Sequence, residues 1–433
     1  MRDKDKDTPY TMHNTTGAAS GKPFHTALLL AMLMPATVSA QESACLSPQI
    51  KTLQVKVDGT WGTNPVLMLR GGHSVEISFD DLQASYQRFK YTIAHCNADW
   101  QPSDLLTSEY MTGFNDTQIT DYEPAIGTEM NYCHYSFTLP NEDNQLLVSG
   151  NYKVTIYSEE ADSAVAEACF CVMDPRMGVE IDVSANTDID TYAQHQQVSF
   201  CVNYSGYHLN DPIGEMKYVV TQNHRWDNHA SGLRPSSMQV NKLIFEHNRE
   251  LIFPAGNEYR RFEILDPYVP TMNVETMEYD DTHYHAYLYT DKQRVNYLYD
   301  EDQDGRFFIR NGNDDDADTA SDYFITHFTL QMPQAAEGDV YLFGDMTGNR
   351  IDPAYQMQYN IIDHQYELAV PLKQGSYNYM YMCNNGSDMV AHTQPCEGNF
   401  HLTENEYSVY VYHRPFGSRY DMLVGYDTMR FKE

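Results

Sequence analysis

The chain has 433 residues, 61 of them acidic against 28 basic, and a formal net charge of −33. A surface that negative is repelled by nucleic acid and by anionic lipid headgroups, which excludes both as expected partners. With 34 Tyr and 18 Phe but only 3 Trp, and no sustained apolar spacing of three and four residues, the composition predicts an all-β chain of two or three domains.

The first forty residues are set apart. Ala27 to Met34 reads ALLLAMLM, preceded by Lys22 and followed by Val38-Ser39-Ala40. A basic flank, a short apolar core and small residues before a cut site make a secretory signal peptide of residues 1–40, with translation starting at Met1 or at Met12. The run is well short of the ~20 residues a membrane span needs. Cys45 lies just beyond the site, but Glu42 stands where a lipid-acceptor motif wants an aliphatic residue, so cleavage after Ala40 is favoured over a lipid anchor.

From Lys51 alternating segments follow one another: KTLQVKV, VLMLR, HSVEISFDDL, YQRFKYTIAHC, NYCHYSFTLP, GNYKVTIYS and EACFCVMD. Short strands separated by Gly, Asn and Pro predict an immunoglobulin-like β-sandwich over residues 41–175. QHQQVSFCVNY, EMKYVVTQ, NKLIFEH and HAYLYTD predict a second sandwich over 176–311. An acidic stretch, NGNDDDADTASD, has almost nothing apolar to bury and reads as a linker over 312–322. GDVYLFGDM, YQMQYN, HQYELAVPL, GSYNYMYM and YSVYVYH then predict a third sandwich over 323–433.

Chemistry-bearing patterns are few. Asp300, Asp302 and Asp304 followed by Gly305 open like a calcium loop, but Asn311 stands where a bidentate Glu is required. The favoured reading is an acidic hairpin turn in which Gly305 supplies positive φ. His283 and His285 share one face of a strand without a third metal ligand nearby, so no metal is expected there. His95 and Cys96 are neighbours that point to opposite faces of a strand, which separates a base from its would-be nucleophile. No GxSxG, HExxH or glycine-rich phosphate loop is present, and neither an enzyme nor a cofactor is expected.

Of the eight cysteines, Cys169 and Cys171 fall on one face of one strand and cannot easily bond to each other. Cys383 and Cys396 flank a loop and are the best local candidates for a bridge, if their Cα atoms come within roughly 7 Å. Cys96, Cys133 and Cys201 read as small buried side chains.

Two resemblances carry the functional reading. Gly344, Asp345, Leu372, Gly375 and Tyr377 resemble the scaffold of the early-set modules that bind starch or glycogen. The sugar-stacking tryptophan of those modules is replaced by Met346-Thr347-Gly348-Asn349, so carbohydrate is not expected as a partner. More specifically, HCNADWQPSDLLTSEYMTGF, ITDYE, YCHYSFTLPN, SGNYKVTIY, TQNHRWD, FPAGNEYRRFE, LKQGSYNYMYM and EGNFHLTENEYSVYVYHRPFGSRYDMLVGY resemble, in order, an exported Bacteroidetes family, the plug proteins of the type IX secretion system.

That resemblance implies a periplasmic, non-enzymatic protein without a membrane span of its own. It would sit against the inner mouth of a giant outer-membrane β-barrel and close it while no shuttle is engaged. It supplies no catalytic residues. Asn97, Asp99 and Trp100 are expected to fix an irregular loop. Trp100, Arg225, Trp226, Arg260 and Arg261 are the candidates for a docking surface, because Trp and Arg dominate interface hot spots. A carbohydrate-binding protein is the alternative. Cargo of the same pathway is a third reading, set aside because the last strands read as part of the third unit.

Overall fold

The structure, a computed structural model, describes residues 42–83, 85–313 and 316–432. The expected signal peptide lies outside the described residues. The chain is all-β: strands arranged in six sheets, paired face to face around three cores, with only single-turn helices. Among the described residues no helix is long and apolar enough to cross a membrane.

In the N-terminal sandwich, one sheet runs Ala44–Cys45, Ser163–Met173, Gly150–Ser158, Phe89–Cys96, Thr117–Gln118, with Val66–Met68 parallel to Ser163–Met173. The facing sheet runs Ile50–Val57, Val75–Asp81, Cys133–Leu139, Asp121–Pro124. Alternation builds it: in Phe89–Cys96 the buried side chains Phe89, Tyr91 and Ile93 take every second position and meet Ile77, Phe79 and Tyr135 of the opposite sheet.

The other two sandwiches do not follow the expected boundaries. Glu406–His413 and Met422–Arg430, read from sequence as the end of the third unit, belong to the middle one. There they extend the sheet Arg225–Ala230, Met216–Gln222, with Tyr218 opposite Val411. The facing sheet holds Gly178–Ser184, His195–Asn203, Lys242–Phe245 and Ser237–Gln239. Conversely Tyr284–Leu288, read as part of the middle unit, lies in the third sandwich and pairs in parallel with Tyr323–Gln331. The chain therefore leaves the middle sandwich after Ile252–Pro254, builds the third from Arg260–Ile264 to Gly375–Asn384, and returns. Alternation shows which face of a strand is apolar; it does not show which sheet receives that face.

The expected linker is also different in kind. Ala317–Ala320 forms one helical turn capped by Asp316, and Thr319, Ser321 and Asp322 are buried. Asp322 accepts from the backbone N–H groups of Glu129 and Met130, and Tyr132 donates to the carbonyl of Ser321 at 2.8 Å. The Asp322 carboxylate thus serves hydrogen bonding to the N-terminal sandwich. The segment is a brace between two sandwiches.

Candidate functional site at the junction of the three sandwiches

Strands buried on both faces mark where the sandwiches meet. Glu406–His413 sends Tyr407, Val409 and Val411 into the middle core. Its alternate residues Tyr410 and Tyr412 enter a separate cluster with Cys96, Ala98, Trp100, Cys169, Cys171, Val219 and Leu423. Ser163–Met173 does the same from the other side: Phe170 points into the N-terminal core while Cys169 and Cys171 share the seam, the one-face placement their spacing requires. The apolar seam between these two sandwiches is built from tyrosines, sulfurs and tryptophans.

The HCNADW loop locks into it. Trp100 is held at φ 60° and is almost fully buried, with its ring edge-on to Trp226 at 5.4 Å. Asp99 accepts from the N–H of Gln101. The N–H of Ala98 donates to Asp421 at 2.9 Å, and that fully buried carboxylate is also paired with Lys217 and Arg414. His95 bridges Ser103 and the carbonyl of Ser149, and burial pushes its pKa down to about 4. Gly150 (φ +143°) leaves room for that ring, since a Cβ there would fall 2.3 Å from His95 Nε2. Burial pushes the Cys96 thiol up to about 11, which keeps it protonated at neutral pH and a poor nucleophile.

The five residues expected at a docking surface are turned inward. Trp100, Arg225 and Arg260 are buried, and Trp226 and Arg261 are half-buried. Arg225 makes a two-pronged bond to Asp227, donates to the carbonyl of Ala391 at 2.7 Å and stacks on Phe343. It thus fastens the middle sandwich to the third. Arg260 grips Glu397 through two nitrogens and Asp291 through a third, inside the third sandwich; Arg261 pairs with Asp300. Composition marks Trp and Arg as binding residues without saying whether the surface they bind belongs to the same chain.

Two further knots went unforeseen. Arg306 of the third sandwich donates to Asn64 of the first at 3.1 Å and to Glu406 of the middle at 2.8 Å, so one guanidinium touches all three. Between the first and third, Lys373 and Asp80 are both fully buried and 2.8 Å apart. Tyr323 and His134 also bond to Asp80, and the Lys373 ammonium lies 4.2 Å above the Tyr132 ring. Burial opposes the Asp80 charge, yet Lys373 and His134 hold its pKa below the usual range. A single Lys at the end of one strand and a lone Asp-Asp pair at the end of another give no sequence signal that they meet.

The remaining expectations resolve as follows. Gly305 does take positive φ, at 89°. However, no strand precedes the turn, and Asp302 and Asp304 are buried against Arg430 and Arg306, so it is not an exposed hairpin tip. His285 pairs with His327 at 2.9 Å and with Asp280, while His283 bonds only to its own turn. Among the described residues no group of three or more potential ligands is placed to hold a metal. All eight cysteines are free thiols; no bridge joins Cys383 and Cys396, the best local candidates, and Cys396 packs beside Met332. Asp345 is paired with His224 of the middle sandwich, and Gly348 packs against the backbone of Ser43, so the turn resembling starch-binding modules is covered by other parts of the chain.

Residues 50–174 match the family model described as type 9 secretion system plug protein, first domain. The chain carries the first domain of the type IX secretion plug family. Over 90% of its length it is 46% identical to a hypothetical protein from Parabacteroides merdae, covering 99% of that chain's crystal structure with a TM-score of 0.88. C-terminal domains of antigen I/II-family proteins from Streptococcus pyogenes and Streptococcus agalactiae are each 8% identical over 88% of this chain and 99% and 100% of theirs. Their TM-scores of 0.17 and 0.15 carry no argument. Among curated proteins no sequence matches.

Proposed function

We propose that this plug-family chain is a non-enzymatic periplasmic stopper that covers the inner mouth of a giant outer-membrane β-barrel while no cargo-carrying shuttle is engaged. The match to the first plug domain carries the proposal. The architecture supports it physically. A stopper must resist deformation, and here three sandwiches are tied by strands buried on both faces, an apolar seam and buried ion pairs. A specific interface needs on the order of 1,200–2,000 Å² in total, readily available to a chain of 433 residues.

Affinity isolation of the barrel from gently solubilised envelopes is the test. The chain is expected to co-purify with barrels that lack a shuttle and to be missing from shuttle-bound ones. Recovery of the chain only as a free species, or an envelope that stays equally tight to large solutes after its deletion, would overturn the proposal.

A further inference from the structure

Val274–Tyr279 is an edge strand of the third sandwich: Tyr284–Leu288 pairs with one side of it, and among the described residues no strand pairs with the other. It is six residues long, with Glu275, Thr276, Glu278 and Tyr279 exposed along it. The opposite edge of the same sheet, Gln358–Asn360, has only three residues. A short edge is one way of denying another chain a template. An antiparallel ladder bonds every second residue of a strand to its neighbour. The N–H of Asp280 donates to the carbonyl of His283, so Glu278 and Thr276 bond inward, opposite His285 and Tyr287. The N–H and C=O groups of Met277 and Tyr279 then point away from the sheet.

The two faces beside this edge differ. On the core side Met277 packs against the third core, and Tyr268 and Tyr279 flank Tyr284, their rings 6.2 and 5.0 Å from it. Tyr268 is 78% exposed, and Val269 and Met272, on the approach to the strand, are exposed as well. On the outer side stand Thr276, Glu278 and His285, the last bonded to Asp280. Nearby ion pairs, Arg261 with Asp300 and Arg310 with Glu263, leave Glu275, Glu278 and Asp281 without a Lys or Arg partner among the described residues. Charge on an edge is a common defence against self-pairing. It works here too, since a second copy of a chain of net charge −33 would bring the same carboxylates. Defence does not account for the exposed tyrosines, valine and methionine beside the same strand, a grouping that marks an interaction site.

We propose that Val274–Tyr279 receives an extended, basic segment of another polypeptide as an added strand. The outward main-chain groups of Met277 and Tyr279 supply the ladder bonds, as in other cases of strand addition. Successive side chains of a strand point to opposite faces. One set of the incoming residues therefore meets the lip of Tyr268 and Tyr279, and the alternate set meets Glu278 and its acidic neighbours. The segment recognised alternates apolar residues with Lys or Arg. Unpaired carboxylates draw such a segment in and turn away acidic ones. The proposal stands independently of whether the chain plugs a pore.

The test is fluorescence anisotropy of a labelled short peptide alternating lysine and valine, titrated with the full chain. Binding is expected to saturate and to weaken with added salt. The same peptide with every amide N-methylated keeps its charges but donates no main-chain bond, and should bind about tenfold more weakly. A peptide alternating glutamate and valine should not bind. Glu275→Lys combined with Glu278→Lys changes two exposed side chains, and is expected to leave Tm unchanged while weakening the lysine–valine peptide about tenfold. No saturation with that peptide, equal binding of its N-methylated form, or binding unaltered in the double variant would overturn the proposal. So would self-association of the wild-type chain in sedimentation that the double variant abolishes, which would assign the edge to a second copy.

Discussion

The two seams that hold the N-terminal sandwich in place are built on opposite principles. Against the middle sandwich it presents indole, phenol and sulfur around Trp100, Tyr410, Tyr412 and Leu423. Against the third it presents a buried ion pair, Asp80 with Lys373, ringed by Tyr132, Tyr323 and His134. Apolar burial is strong but non-directional, so the first seam supplies attraction and tolerates small slips. A charge pair removed from water adds little net energy but makes any displaced arrangement costly, because each partner would be stranded. One seam supplies energy and the other supplies angle.

Breaking the polar seam has the largest expected effect. Lys373→Met strands Asp80, and equilibrium urea unfolding should show a loss of about 3–5 kcal/mol. Adding Asp80→Asn to it should cost much less than the sum of the two single changes, because the stranded charge is gone. Strict additivity in that cycle would mean that the pair does not set the angle.

The apolar seam should answer differently. Leu423 is fully buried in it, and Leu423→Ala is expected to cost about 3 kcal/mol with no single second substitution to restore it. Combined with Lys373→Met the losses should add within about 0.5 kcal/mol, as for separate sites. A large coupling in the double variant would show that the seams act as one unit.

A third handle is pH. Burial pushes the Asp302 and Asp304 carboxyls up to about 7, Glu258 reinforcing the first and Asp302 the second. A carboxyl whose folded pKa lies above its unfolded value near 4 binds its proton more tightly when folded. Its contribution is greatest below pH of about 4 and is lost as pH rises towards 7. Asp304→Asn also suits the positive φ of that position. It should flatten the stability profile between those limits by up to about 1.4 kcal/mol per pH unit, read from urea midpoints at successive pH values. A parallel profile would place the proton elsewhere. Asp80, held below its ordinary range, behaves with the opposite sign and loses its contribution only as pH falls below about 4.

Strands were legible because alternation is local. Segments such as FKYTIAHC and GNYKVTIYS carry their buried face in their own spelling. Their partners were not legible: Met216–Gln222 pairs with Glu406–His413, far along the chain, and nothing in either segment names the other. YSVYVYH did hold a clue, because no polar residue beyond Ser408 breaks its run, the mark of a strand covered on both sides. For the acidic segment before Tyr323, composition counted charge correctly and still misjudged order, since Asp322 is satisfied by backbone N–H groups of another sandwich. Trp100 and Arg225 were read as candidates for a docking surface; whether a buried Trp or Arg faces its own chain or a partner is settled only by tertiary pairing.

The smallest expected effect tests the contrast most sharply. The Tyr412 hydroxyl crosses the apolar seam, donating to Asn151 of the N-terminal sandwich at 2.9 Å. Tyr412→Phe keeps the ring and deletes that bond. Asn151 Oδ1 retains the Cys171 thiol at 3.3 Å, so it is not left bare, and the loss should be about 1 kcal/mol with an unchanged urea slope. If the apolar seam works by burial, this polar deletion must cost clearly less than Leu423→Ala. A cost equal to or above that of the leucine would mean the hydroxyl, not the packed ring, holds the two sandwiches together, and the division between a seam of energy and a seam of angle would fail.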